Sequence, residues 1–439
     1  MLKFKNLSRL IFFILFSIKL LTYFDFQNRF MLRFGMSSSF LQRGPPPPPP
    51  WRATCQTAYN FYSNMNTFIS KTENIKSLYQ DEIVNSLKRI KEPDYRANQL
   101  INWIYKNYVD SWDEMTNLPI ALRKKLSEMF TLYSSKLVKV QCSDDLTRKF
   151  LWQLEDGEFV ENVLIPANPA LYGEPYDRMT LCVSTQVGCA YKCKFCASGL
   201  GGFKRNLNAG EIVEQILAVE RWAISEKLPE LEKKKRIINN IVFMGMGEPL
   251  ANYENLIRAI KIINAPLGCN IGARKITIST CGLVPVIRKL AAEKLQLRLA
   301  ISLHAATNDV RSKLMPINKK YPIEKLMEAL RFYKMNKSGM ISFEYILIEG
   351  VNDSLEQAEK LTKLAKLLKA KINLIPCNKV DGLDFHSPAD TVQKQFLNVL
   401  KRNGITATLR KEKGSNIDAA CGQLRLKTES EIKQNIIKT

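Results

Sequence analysis

The sequence predicts an α/β protein built on a parallel sheet, with a small helical domain ahead of it. Three observations carry this. From Met179 onward, six short runs of β-forming residues alternate with helical patterns, the rhythm of parallel strand–loop–helix units. Between Ser77 and about Ser135, apolar residues recur at three- and four-residue spacing, as on buried helix faces. Between these regions lie three short strand-like runs divided by turn signals such as Ser143-Asp-Asp and Asp156-Gly157, a pattern of antiparallel strands. At 439 residues, with 46% hydrophobic and 24% charged, the chain can build one large domain and a smaller one around a sizeable core.

Taken in order, residues 1–70 read as a targeting leader or disordered segment. They hold one acid, Asp25, against eight Lys and Arg. Lys3, Lys5 and Arg9 precede the apolar run 10–18, too short to span a bilayer but suited to a signal-peptide core. Arg29, Arg33, Ser37, Ser38, Ser39 and Arg43 then form a basic, acid-poor stretch like an organelle transit peptide. The prolines at 45–50 make a polyproline II spacer that cannot join a packed core. This order suits delivery to a plastid or apicoplast-like organelle, less so a mitochondrion. A true start at Met31 or Met36 would instead leave the protein in the cytoplasm.

The expected domains are a helical accessory domain at 75–135, an antiparallel extension at 136–178, the parallel-sheet domain at 179–405 and a C-terminal tail at 406–439. The parallel strands fall at 179–184, 237–244, 275–280, 297–302, 342–348 and 371–375, with helices at 209–226, 253–264, 284–293, 323–337 and 354–368. The pattern leaves open whether the sheet curls into an open barrel or is doubly wound. In either form the chemistry belongs at the carboxyl ends of the strands.

A net charge of +23 points to a polyanionic partner, with nucleic acid first among them, although a basic leader or a lysine-rich composition contributes. Ten cysteines beside two histidines argue against a mixed zinc site and a secreted disulfide scaffold, leaving reduced thiols for metal binding or catalysis.

Three of these thiols, Cys189, Cys193 and Cys196, follow the first parallel strand in the spacing C-x₃-C-x₂-C. Three ligands on a four-iron cube leave one iron open to a small molecule, whereas a zinc knuckle would want a fourth Cys or His nearby. At the end of the second strand comes Met244-Gly-Met-Gly-Glu-Pro249, whose glycines admit a ligand close to the backbone and whose Glu248 can receive an ammonium group. It lacks the dinucleotide fingerprint and fits the methionyl amino group of S-adenosylmethionine (SAM). Ser279, Ser302, His304 and Asn378 are further polar groups at strand ends, each of which singly reads as a cap, a turn or a structural histidine. In the tail, Cys421 stands beside Gly422 among Arg410, Lys411, Lys413, Arg425 and Lys427, charges that favour a thiolate. Cys182, seven residues before Cys189, passes by itself as a core residue.

With these residues assembled, the chain resembles the RlmN-type radical SAM adenine C2 methyltransferases, relatives of the Cfr-type C8 enzymes. The resemblance spans about 75–427 and rests on blocks at 95–105, 115–119, 181–189, 244–249, 301–305, 372–378 and 418–423. It implies a partial (β/α)6 radical-SAM barrel with a [4Fe–4S] cluster on Cys189, Cys193 and Cys196 and two SAM per turnover. SAM would be held by Gly247, Glu248, Ser279, Ser302, Leu303, His304 and Asn378. Carbon 2 of adenine is too electron-poor for ordinary displacement. The family therefore methylates a tail cysteine, here Cys421, with one SAM and cleaves the second to a 5′-deoxyadenosyl radical that activates the methyl. Cys182 then attacks the Cys421 sulfur, leaving a disulfide, and Glu161 matches an acid–base residue. The implied substrate is an adenosine of large-subunit ribosomal RNA, also tRNA, gripped by a basic surface around the helical domain. The implied partners include an electron donor such as flavodoxin or ferredoxin, and the chain is expected to be a monomer without stable membrane association. Cys377 stands where an aromatic is frequent, and Cys281 lies beside the SAM loop. The alternatives are carbon 8 methylation and an RNA-binding or ribosome-assembly protein without catalysis.

Overall fold

The computed structural model describes residues 73–167, 178–228, 236–378, 380, 382–410, 417 and 422–438. The expected leader at 1–70 and Cys421 lie outside them.

The described chain opens with β1 (Glu73–Asn74) and three helices, α1 (Gln80–Arg89), α2 (Asp94–Tyr105) and α3 (Ile120–Met129), before β2 (Phe130–Thr131) returns parallel to β1. Each helix starts where its sequence dictates. The Glu82 carboxylate reaches back to the Tyr79 N–H at 2.7 Å at the head of α1, and Pro93 and Pro119 precede α2 and α3. Their apolar stripes, including Ile83, Leu87, Ala97, Leu100, Ile104, Leu122 and Leu126, are buried.

An antiparallel meander follows, β3 (Lys136–Cys142), β4 (Arg148–Gln153) and β5 (Phe159–Ile165), and β5 pairs antiparallel with β6 (Met179–Cys182). A short hairpin of β7 (Gln186–Gly188) and β8 (Phe203–Asn206) encloses α4 (Ala197–Leu200). The parallel units then run α5 (Ala209–Ser225), β9 (Ile238–Phe243), α6 (Tyr253–Asn264), β10 (Ile276–Thr280), α7 (Val284–Ala291), β11 (Arg298–Ser302), α8 (Asn308–Leu314), α9 (Ile323–Asn336), β12 (Ile341–Leu347), α10 (Leu355–Leu368), β13 (Lys371–Pro376), α11 (Asp390–Arg402) and β14 (Ala407–Leu409), with α12 (Gln423–Lys438) closing the chain. All six expected parallel strands form. β14 adds a seventh, parallel to β13, in a segment that the sequence assigned to the tail. Three residues are too few to show a period, so pairing rather than pattern defines this strand.

The sheet order is β14-β13-β12-β11-β10-β9-β6-β5-β4-β3. The parallel strands never reverse direction across the sheet, so there is no doubly wound switch point, and the fold is a partial α/β barrel. Right-handed crossovers in one direction put the helices on one face: Tyr345 of β12 packs its ring 5.4 Å from that of Phe396 on α11. Residues of the opposite pleat then share the concave face. Register sets Ser279 opposite Ala300, Ser302 opposite Glu344, Glu344 opposite Asn373 and Asn373 opposite Thr408, a polar row across five strands.

The helical segment is tied to this barrel through polar contacts. Lys76 and Glu214 form a fully buried ion pair, and Arg258 holds both Glu82 oxygens at 2.7 and 3.0 Å. Among the described residues no helix is long and apolar enough to cross a membrane.

Candidate functional site

The three clustered cysteines lie on the loop between β7 and α4, each partly exposed and each a free thiol. Backbone contacts fix the loop: Cys189 donates its N–H to Gly202 O at 3.0 Å, Cys196 to Cys193 O at 3.1 Å and Lys194 to Leu314 O at 2.9 Å. Gly188 has φ +76°, and a Cβ there would meet Gly202 O at 1.8 Å, so only glycine can precede Cys189. Burial, and then the charge of Cys196 among other groups, pushes the Cys189 thiol up to about 12; burial and both neighbouring cysteines push Cys193 up as well. Thiols that repel one another as anions in a desolvated loop fit a cationic metal centre that would hold all three ionised. No three His, Cys, Asp or Glu side chains among the described residues form a ready-made site for one metal ion. An iron–sulfur cube is larger than an ion and takes thiolates set wider apart than the roughly 3.8 Å between sulfurs on one zinc with bonds of ~2.3 Å.

Beside this loop, the turn after β9 is built around Glu248, which is 4% exposed. Its Oε1 accepts the Leu250 N–H at 3.0 Å and its Oε2 the Cys281 N–H at 2.7 Å. Burial pushes the carboxyl up, against the pull of those amides. Gln186, on β7, accepts the Glu248 N–H at 2.8 Å and donates to Asn206 at 2.8 Å. Gly247 has φ +97°, and a Cβ would meet the Gln186 side chain at 2.5 Å. Sequence reasoning singled out Gly247 and Glu248 but not Gln186, which carries no signal of its own before the turn folds against it.

The other candidate SAM residues gather at the ends of adjacent strands. Ser279 and Ser302 hydroxyls are 3.4 Å apart on the concave face. Leu303 and His304 donate their N–H groups to Glu344 O at 3.1 and 3.3 Å. Asn378 follows β13, where Cys377 donates its N–H to Leu347 O at 3.1 Å. His304 also braces the neighbouring strand. Its Nδ1 accepts the Ile346 N–H at 3.0 Å, and burial, with Arg311 adding to it, drops its pKa to about 3. The ring stays neutral and meets Phe195 of the cysteine loop edge to face at 4.7 Å.

Arg311, which carries no motif in the sequence, fastens this rim. Fully buried, it donates to Leu303 O at 3.1 Å, Asn318 Oδ1 at 2.9 Å and Cys281 O at 2.7 Å, joining the loops after β10 and β11. Cys281 is buried, with its backbone N–H on Glu248.

The outlying catalytic candidates also approach this rim. Cys182 ends β6 and is a free thiol; burial pushes it up to about 11. Glu161 stands on β5, 2% exposed, with its carboxylate 3.1 Å from buried Lys149. It accepts the N–H of Gly422 and of Arg425, both at 2.6 Å. Ser184 bridges these parts, donating to Glu161 O at 2.7 Å and accepting the Met246 N–H at 2.9 Å. Among the described residues every cysteine is free.

The expected basic surface around the helical domain does not follow from the charges. Residues 75–135 carry nine Lys and Arg against eight Asp and Glu, whereas 179–405 carry 35 against 20. Most of the surplus lies in the barrel segment, and residues 1–70 carry much of the rest.

Comparison with known proteins defines the class first. Residues 183–362 match the family model described as the Radical SAM superfamily, and 73–132 match that of the ribosomal RNA large subunit methyltransferase N-terminal domain. The crystal structure of a radical SAM methyltransferase from Sphaerobacter thermophilus is 42% identical, covers 80% of this chain and 98% of its own, and superposes with a TM-score of 0.73. The protein is thus a radical SAM enzyme, with the superfamily's cofactors, a [4Fe–4S] cluster and SAM. Among curated relatives, the probable dual-specificity RNA methyltransferase RlmN 3 of Opitutus terrae is 51% identical over 80% of this chain and 94% of its own length. The probable dual-specificity RNA methyltransferase RlmN of Akkermansia muciniphila is 49% identical over 77% and 91%. The chain belongs to the RlmN family of methyltransferases.

Proposed function

We propose that this enzyme methylates carbon 2 of an adenosine in large-subunit ribosomal RNA and in tRNA, carrying the methyl group on Cys421. The observation that carries the reading is the anchoring of Gly422, the neighbour of Cys421, on Glu161, next to the strand that ends in Cys182. The relatives' description as dual-specificity RNA methyltransferases supports two RNA substrates, and their RlmN family favours carbon 2 over carbon 8. Cys189, Cys193 and Cys196 would hold the cluster, which supplies the electron that cleaves SAM. Glu248, Ser279, Ser302, His304 and Asn378 line the rim where SAM would sit, with Gly247 and Leu303 offering backbone. Cys182 would release the product by attacking the Cys421 sulfur: the disulfide forms as the bond from that sulfur to carbon breaks, the proton given up by the Cys182 thiol balances the one the released methylene carbon takes to become methyl, and Glu161 receives the carbon 2 proton. At about 11, Cys182 stays a thiol at neutral pH and avoids premature attack. The target base must leave its stack to reach this rim, and the basic surplus of the barrel segment supplies phosphate contacts. A flavodoxin or ferredoxin would donate the electron, and the basic leader supports delivery to an organelle.

The test uses anaerobically reconstituted enzyme, SAM, a reductant and ribosomal RNA fragments, with nucleoside mass spectrometry against both methyladenosine standards. Expected is 2-methyladenosine from the native enzyme and none from Cys421→Ala. Cys182→Ala should leave RNA covalently attached to the protein. Formation of 8-methyladenosine, or full activity without Cys421, would overturn the proposal.

A further inference from the structure

The amides in the first turn of a helix have no partner within it. In α12 two amides at this end are received by one side chain from a strand far away in sequence, since Glu161 takes Gly422 N–H on Oε2 and Arg425 N–H on Oε1. Both bonds measure 2.6 Å. The carboxylate is buried and paired with buried Lys149, so water neither screens nor replaces these bonds. A negative charge on two amides at a helix N-terminus, shielded in this way, is a strong form of cap. On its other side Gly422 is pressed against α4: its φ is +87°, and a Cβ there would meet Ser198 N at 2.7 Å. Arg425 touches the same loop, since a Cβ on Gly201 would meet its guanidinium at 2.4 Å. Gly422 is therefore clamped between Glu161 and the turn that follows Cys196.

We propose that Glu161 is a positioning residue as well as the proton acceptor: it seats the start of α12, which follows Cys421 directly in sequence, against the cluster-bearing loop. This rests on the function proposed above for the role given to Cys421 and for the proton that Glu161 receives, whereas the seating itself rests on the contacts of Gly422 and Arg425 alone.

The experiment is backbone deuterium exchange at 422–426 in the full-length, iron-loaded enzyme without RNA, so that methyl transfer plays no part in the readout. Glu161→Gln keeps the shape but turns an N–H donor toward amides that need an acceptor. It is expected to speed exchange at Gly422 and Arg425 at least about tenfold, with Glu161→Asp closer to native. A second pair leaves Glu161 intact. Arg425→Pro and Arg425→Ala both remove the guanidinium, but only Pro removes the amide, in a turn that tolerates proline. Faster Gly422 exchange in Arg425→Pro than in Arg425→Ala supports the seating role, and this pair decides if Glu161→Gln fails to load iron. Native exchange in Glu161→Gln, or identical exchange in the Arg425 pair, would overturn it.

Discussion

The glycine before the first cluster cysteine offers a sharp test of how the cysteine loop is built. Gly188 and Gly202 face each other across the β7–β8 hairpin, and both have positive φ, +76° and +69°. Alanine at either position pays the left-handed strain of about 1–2 kcal/mol. They differ in space. A Cβ on Gly202 meets nothing within 4 Å, whereas one on Gly188 meets Gly202 O at 1.8 Å. That oxygen must retreat by about 1.2 Å to clear 3.0 Å, and it is the acceptor of the Cys189 N–H. Losing this bond adds about 1 kcal/mol, and prising apart a two-stranded hairpin adds at least as much again. Gly188→Ala should therefore cost roughly 2 kcal/mol more than Gly202→Ala, about a thirtyfold drop in the population of loops set to bind the cluster. The assay is iron per chain after anaerobic reconstitution at limiting iron, read beside the thermal midpoint of both variants. Both variants should load less iron than native, Gly202→Ala by the strain alone and Gly188→Ala far more. Equal iron content and equal midpoints in the two variants would refute the reasoning.

Two further outcomes follow from buried charge and a half-buried thiol. With Cys182 at about 11, the thiolate fraction rises tenfold per pH unit, so its alkylation, followed by mass spectrometry of its peptide, should quicken about tenfold per unit from pH 7 to 9; a flat profile would contradict this. Lys76→Met strands Glu214 in the barrel wall with only the Ser135 N–H and Arg221, each at 3.3 Å, still on its Oε1 among the described residues, and should cost about 3 kcal/mol in denaturant unfolding, while Lys76→Met with Glu214→Leu should recover much of that loss. If the double variant is no better than the single one, burial of the unpaired charge is not the cause.

Much of the barrel was legible because its strands are apolar runs flanked by helices with strong period. Tyr253–Asn264 matches its expected range to the residue, and Leu355–Leu368 starts after the Ser354 side chain that caps it. What failed was short or held from elsewhere. The β7–β8 hairpin and β14 exist through pairing, and α12 has its first turn capped by a residue 264 positions away. The choice between a barrel and a doubly wound sheet likewise depends on strand order, which periodicity does not encode.

The same division runs through the site. Spacing by itself determined the cysteine loop, since three thiols within eight residues share a loop in any fold. The motif at 244–249 was equally local, its glycines and Glu248 marking a turn that admits a ligand. Only the tertiary structure decided that Gln186 braces that turn, that Arg311 joins two strand-end loops, and that Glu161 grips the amides beside Cys421. Local chemistry is written in short spacings because covalent geometry limits where neighbours can go. A carboxylate meeting an amide 261 residues away depends on the whole sheet order lying between them.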